Sequence, residues 1–188
     1  GENLALLSAQ AGSLARLVDD LHALATADLG ARGYDKQRLD PRELVMHVWR
    51  GFEERLANCK LAATLTGFDT PIFVLADAER LRQLIANLLE NACRYTVPGG
   101  QVRLTGEAGG DALRIVIDDS APGVPAPLIE RLGERFFRVD PSRSRAAGGA
   151  GLGLALCRGI AEAHGGSLAF SASPLGGLRV VLTLPGAP

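Results

Sequence analysis

Two pairs of alternating apolar segments, each joined across a Gly-Gly step, constrain this chain most. Gln101–Glu107 and Ala112–Asp118 flank Gly109-Gly110; Ser167–Ala172 and Leu178–Leu184 flank Gly176-Gly177. Leu113, Ile115 and Ile117 alternate with Arg114 and Asp118. A period of two puts the apolar side chains on one face of a strand, and glycine steps between such strands read as hairpins. A sheet made of half-apolar strands leaves one face that other elements must cover.

Helices supply that cover. Asp40-Pro41-Arg42-Glu43 is a helix start, with Asp at the N-cap, Pro at the first helical position and Glu at the third. Leu44, Val45, Val48, Phe52 and Leu56 continue it at helical spacing. Asp77 caps a second helix running to about Tyr95, with Leu81, Leu84, Ile85, Leu88 and Leu89 facing the core. A short helix is expected near Pro127–Leu132 and a longer one over Leu152–His164. Leu61–Gly67 and Pro71–Leu75 read as short strands, with turns at Phe68-Asp69-Thr70 and Pro98-Gly99-Gly100. Residues 138–150 carry Arg, Ser, Gly and Ala without apolar periodicity and read as a mobile loop. The order predicts an α+β fold, a two-layer sandwich of one sheet with helices on one face.

The first thirty residues differ. Leu4, Leu7, Ala11, Leu14, Val18, Leu21 and Ala25 recur in alternating steps of three and four, the seam of a coiled coil or bundle. One helix over about residues 4–28 is expected, stopped by Gly30 and Gly33. So narrow a stripe needs a partner helix, or else packs on the chain's own domain. The expected division is a bundle helix over 1–30, a polar linker over 31–39 and a main domain over 40–188.

Charge and cysteine content narrow the function classes. The 188 residues hold 20 Lys+Arg against 21 Asp+Glu, a net charge of −1. That balance argues against nucleic acid as a partner, while a small phosphate ligand needs only a local site. No apolar run approaches the roughly 18 residues that span a bilayer, and no secretory leader is visible. Cys59, Cys93 and Cys157, an odd set without a C-x-x-C, read as reduced core thiols rather than a disulfide framework or zinc site.

Three polar constellations stand out. Asn87 and Asn91 lie four apart on the second helix, and Arg94 and Tyr95 continue that face. Amide oxygens can ligate a hard cation, and a guanidinium can pair with phosphate; a solvated polar face is the other reading. Asp118-Asp119-Ser120-Ala121-Pro122-Gly123 leaves a strand for a turn, placing a carboxylate where an exocyclic amine can donate to it. Gly148-Gly149-Ala150-Gly151-Leu152-Gly153 opens a helix, where backbone N–H groups favour an anion, with Arg143 and Arg145 just upstream.

Together these resemble the catalytic ATP-binding domain of bacterial sensor histidine kinases, within the gyrase/Hsp90/kinase/MutL superfamily. Asn87–Thr96 resembles its N box, Asp119–Gly123 its first glycine box, Glu134–Arg138 its F box and Gly149–Leu154 its second glycine box. Gly165-Gly166, Gly176-Gly177 and Leu182–Pro185 match its usual ending, and order and spacing agree over about residues 40–185. Asp119 through Gly153 is most similar to the BaeS-type envelope-stress branch. Leu14–Leu21 resembles the second helix of the dimerisation and phosphotransfer hairpin.

The resemblance implies a Bergerat-type fold with a mixed sheet, binding ATP with Mg²⁺. Asn91 would ligate the metal, and Asn87 would support metal or phosphates. Arg94 would contact phosphate; Asn87 and Arg94 form the catalytic pair. Tyr95 would lie against adenine, Asp119 would accept from its amine, and Gly123 would let backbone approach the base. Gly149, Gly151, Leu152 and Gly153, with Arg143 and Arg145, would form the phosphate cradle and lid. Phe136 and Phe137 would pack the lid base. The implied partners are a response regulator and the phosphoacceptor hairpin of the same or a partner subunit. The parent is expected to be a homodimer in the inner membrane, with this chain on its cytoplasmic side.

Three departures bear on that expectation. Ala121 stands where the family usually has Gly, which matters if that position needs φ > 0. Asn87 stands where ATP-hydrolysing relatives carry a Glu base, so hydrolysis by water should be slow. His22, His47 and His164 lack the acceptor motif and read as structural, so the hairpin's first helix is expected outside this sequence. A serine-kinase relative that only shares the ATP fold, and a degenerate scaffold binding no nucleotide, remain alternatives.

Overall fold

The computed structural model describes residues 33–109, 111–139 and 151–187. The helix expected over 4–28 lies outside the described residues, as do residues 140–150 of the expected loop. The elements run β1 (Gln37–Leu39), α1 (Pro41–Asn58), β2 (Ala62–Gly67), β3 (Val74–Ala76), α2 (Ala78–Tyr95), β4 (Gln101–Gly109), β5 (Ala112–Ser120), α3 (Ala126–Ile129), α4 (Gly153–Ala163), β6 (Ser167–Ala172) and β7 (Gly176–Pro185).

Both predicted caps form. Asp40 accepts from the Arg42 N–H at 3.0 Å, and Asp77 from the N–H groups of Glu79 and Arg80 at 3.0 and 3.1 Å. Each satisfies donors that would otherwise be orphaned, worth about 1 kcal/mol per cap. α2 buries Leu81, Leu84, Ile85, Leu88, Leu89 and Ala92 and packs against α1 and α4.

The main sheet has the order β2-β4-β5-β7-β6. β2 pairs with β4 in parallel and the other pairs are antiparallel, so the sheet is mixed and open. Val102, Leu104, Leu113, Ile115, Ile117, Leu182 and Leu184 face the helices in one core. This is the α+β sandwich expected from the sequence.

Three local expectations are corrected. Residues 37–39, read as polar linker, form β1, which pairs with β3 in a separate two-stranded sheet. The strand expected over Pro71–Leu75 is this short β3, not a partner of β2. The Phe68 N–H donates to Gly106 O at 3.2 Å, so the chain leaving β2 turns across β4 instead of doubling back. Asp118, placed on the solvent side of β5, is only 2% exposed. Arg179 covers it through a two-pronged ion pair, Nε to Oδ1 at 2.8 Å and Nη2 to Oδ2 at 2.9 Å.

All three cysteines are free; Cys157 is buried, while Cys59 and Cys93 are half-buried. Burial pushes the Cys93 thiol up to about 11, with Cys59 beside it. Among the described residues, no helix is long and apolar enough to cross a membrane.

Candidate functional site

α2 and α4 run antiparallel in a shared register. The Asp77 N–H donates to His164 Nε2 at 3.0 Å, and Cys157 Sγ lies 3.6 Å from Leu84 O. From Asp77 to Leu84 the first helix advances as far as the second retreats from His164 to Cys157. The same step carries Gly153, at the start of α4, to the stretch of α2 that holds Asn87 and Asn91. The half-buried backbone turn that opens α4 is thereby brought alongside the part of α2 that carries the two side-chain amides.

Two buried polar groups there have no hydrogen-bond partner among the described residues: Asn87 Nδ2, and Nε and Nη2 of Arg138. Such groups cost free energy unless something pairs with them. Arg138 closes the F-box segment, whose Phe136 N–H donates to Gly151 O at 3.0 Å, so it too sits beside the glycine segment that opens α4. Arg94 is one-fifth exposed, and Glu90 lies 3.5 Å from its Nη2. Tyr95 ends α2 with its ring half exposed.

The other end of α2 abuts the turn after β5. The Val97 N–H donates to Ala121 O at 3.2 Å, and the Gln101 N–H to Ser120 Oγ at 2.8 Å. Asp119 lies here, its Oδ1 accepting from the Leu178 N–H at 2.7 Å. Burial pushes its carboxyl up to about 6, against the pull of that N–H and helped by the neighbouring Asp118 charge. Gly177 makes the room: a Cβ there would collide with Asp119 Oδ1 and the Ser120 carbonyl. Gly123 lies against Gly176 O, 3.1 Å from where its Cβ would be.

The sequence-derived residues thus fall into two clusters joined by α2. Asn87, Gly151 and Gly153 lie toward the start of α4, Tyr95, Asp119 and Gly123 toward the turn after β5, and Asn91 and Arg94 on α2 between them. Arg143, Arg145 and Gly149 lie outside the described residues. Leu152 is in the hydrophobic core, which leaves only its backbone for a ligand. Gly151 has φ +74 and packs its Cα against the Phe136–Phe137 backbone. Phe136, expected to pack, is 64% exposed, while Phe137 lies half-buried with the Arg131 guanidinium 4.2 Å from its ring centre. Ala121 is absent from the residues with positive φ, so its Cβ meets no backbone objection. His47 is exposed and His164 is buried and structural.

Sequence reasoning gave no role to Arg138 or Gly177. Arg138 was readable as a cation at the edge of a glycine-rich segment. Gly177 had no local signal, because the atom it makes room for lies more than fifty residues earlier.

A profile described as "Histidine kinase-, DNA gyrase B-, and HSP90-like ATPase" matches residues 76–188, more than half of the chain. The chain belongs to this family. It is 42% identical over 184 residues to the signal transduction histidine-protein kinase BaeS of Escherichia coli (strain K12), covering 98% of this chain and 39% of that protein. The chain therefore spans well under half the length of this relative. Full-length ShkA in complex with AMPPNP superposes with a TM-score of 0.82 at 27% identity, covering all of this chain and 39% of that one. The histidine kinase AdeS of Acinetobacter baumannii gives a TM-score of 0.79 at 24% identity, covering 98% of this chain and 84% of that one, a likeness of fold.

Proposed function

We propose that this chain is the ATP-binding catalytic region of a sensor histidine kinase, holding Mg-ATP and presenting its γ-phosphate to a histidine outside these residues. The observation that carries this reading is Asp119. Its Oδ1 is fixed by the Leu178 N–H in a space kept open by Gly177, which leaves the second oxygen to accept from the adenine amine. Tyr95 would flank the base and Gly123 would let backbone approach it. Arg94 and Arg138 would face the phosphates, with the N–H groups from Gly149 through Gly153. Arg143 and Arg145 would close over the nucleotide.

The donor set fits magnesium. Among the described residues no cluster of three His, Cys, Asp or Glu could hold a metal. Mg²⁺ takes few protein ligands beside phosphates and waters; the Asn91 amide oxygen would supply one, and the unpartnered Asn87 Nδ2, a donor, would pair with a phosphate oxygen. When bound, the ion would neutralise charge on the β- and γ-phosphates. The side chains named here would position nucleotide for in-line transfer, the larger part of catalysis in such reactions. In the parent, a homodimeric inner-membrane protein, the phosphate would pass from the acceptor histidine to a response regulator. Residues 1–30 would be the second bundle helix, joined to the domain through the residues ahead of β1.

Titration of Mg-ATP against the wild-type chain and Asp119→Asn tests this. Saturable binding by the wild type, weakened at least about tenfold by the variant, is expected. Supplied with an intact acceptor hairpin, the chain should yield a phosphate labile to acid and stable to base. No binding by the wild type would overturn the reading.

A further inference from the structure

Arg55 stands on α1, outside the segments assigned to the nucleotide. Its guanidinium grips Glu90 of α2 with both terminal nitrogens, Nη2 to Oε1 at 2.6 Å and Nη1 to Oε2 at 2.5 Å. Arg94, one turn along α2 from Glu90, has only a long approach to the same carboxylate, Nη2 to Oε1 at 3.5 Å. The geometry is unequal: Arg55 takes both oxygens at charge-assisted hydrogen-bond length, and Arg94 stays beyond it. Glu and Arg four apart on a helix otherwise make a favourable pair. Glu90 and Arg94 are also drier than Arg55, with side-chain exposures of 23%, 18% and 50%. Without Arg55, Glu90 would close on Arg94 and occupy the face a phosphate needs.

We propose that Arg55 is a positioning residue for phosphate recognition: it diverts Glu90 so that the Arg94 guanidinium is oriented but left available to the nucleotide's phosphates. This rests on the reading of Arg94 as a phosphate contact. This adds a residue of α1 to a site whose other members lie from Asn87 onward. It also gives Glu90, whose charge repels phosphate, a reason to be tolerated there.

The test compares ADP and adenosine affinities for the wild type, Arg94→Met, Arg55→Met and Arg55→Met/Glu90→Gln. Arg55→Met is expected to weaken ADP about fivefold while leaving adenosine unchanged, which also shows that the base site is folded. The double variant is expected to recover ADP affinity, because a neutral amide no longer captures Arg94. If Arg94→Met weakens ADP while Arg55→Met does not, the proposal is overturned and the nucleotide site stands. Loss of ADP affinity that the double variant fails to restore also overturns it. If Arg94→Met has no effect on ADP, the phosphate role of Arg94 falls and the proposal with it.

Discussion

Burial lifts the Asp119 carboxyl to about 6, although the Leu178 N–H pulls the other way. A raised folded value means that the protonated form stabilises the fold. That contribution is complete below the unfolded carboxylate value near 4 and is lost as pH rises to about 6. The proposed contact with the adenine amine would want the opposite state, since only the ionised carboxylate accepts without a proton of its own. Adenosine, which has no phosphates to titrate, should therefore bind about tenfold more weakly for each unit below 6. Thermal unfolding without ligand should show Asp119→Asn gaining on the wild type between pH 4 and 6, with the difference level above that. A flat adenosine profile across the same range would contradict this. The aspartate was legible from its strand-end position, but what tunes it was not. Leu178, Gly177 and the Arg179 that buries Asp118 all lie on a strand some sixty residues later, and neighbours across a sheet leave no local pattern.

Whole elements were legible in proportion to their length and periodicity. α2, with its cap at Asp77 and its repeating leucines, was readable from end to end, and so were the hairpins. β1 and β3 span only three residues each, too few to show a period, and their pairing joins segments on either side of a helix. The ends of α2 and α4 are tied where that small sheet begins. His164 Nδ1 faces Ile160 O at 2.7 Å, so its Nε2 can accept from the Asp77 N–H only while the ring is neutral. Lys36 Nζ donates to Ala163 O at 2.5 Å, and the Asp35 N–H to Asp77 Oδ2 at 3.1 Å, on the same corner. Burial lowers the His164 pKa, assisted by the Lys36 charge and opposed by the Ile160 carbonyl. A depressed folded value gives stability that is present above the unfolded value near 6.5 and lost as pH falls below it. Urea unfolding at several pH values should show this acid loss in the wild type. His164→Gln should be flatter there, and about 1–3 kcal/mol less stable at neutral pH.

At the scale of the molecule, one sheet face carries three helices and the candidate site residues gather along and beside the middle helix. This arrangement was legible because hairpins and amphipathic helices leave few other ways to bury their apolar faces. The parallel pairing of β2 with β4 was not, since parallel neighbours are joined through distant chain. With an amide at Asn87 and no base in its place, the proposed assembly activates water poorly. Steady-state ATP hydrolysis by the isolated chain should be slow, and Asn87→Glu should raise it; fast turnover by the wild type would contradict the kinase reading. The contact between Asp119 and Leu178 has a consequence for how the protein is made. The acid proposed to recognise adenine is translated some sixty residues ahead of the backbone that orients it, which lies on β7. A chain halted before residue 178 would hold the segments that resemble the N box and both glycine boxes but would lack the N–H that fixes Asp119. On the proposed reading, base recognition would need β7 in place, and a copy truncated ahead of that strand would bind no adenine.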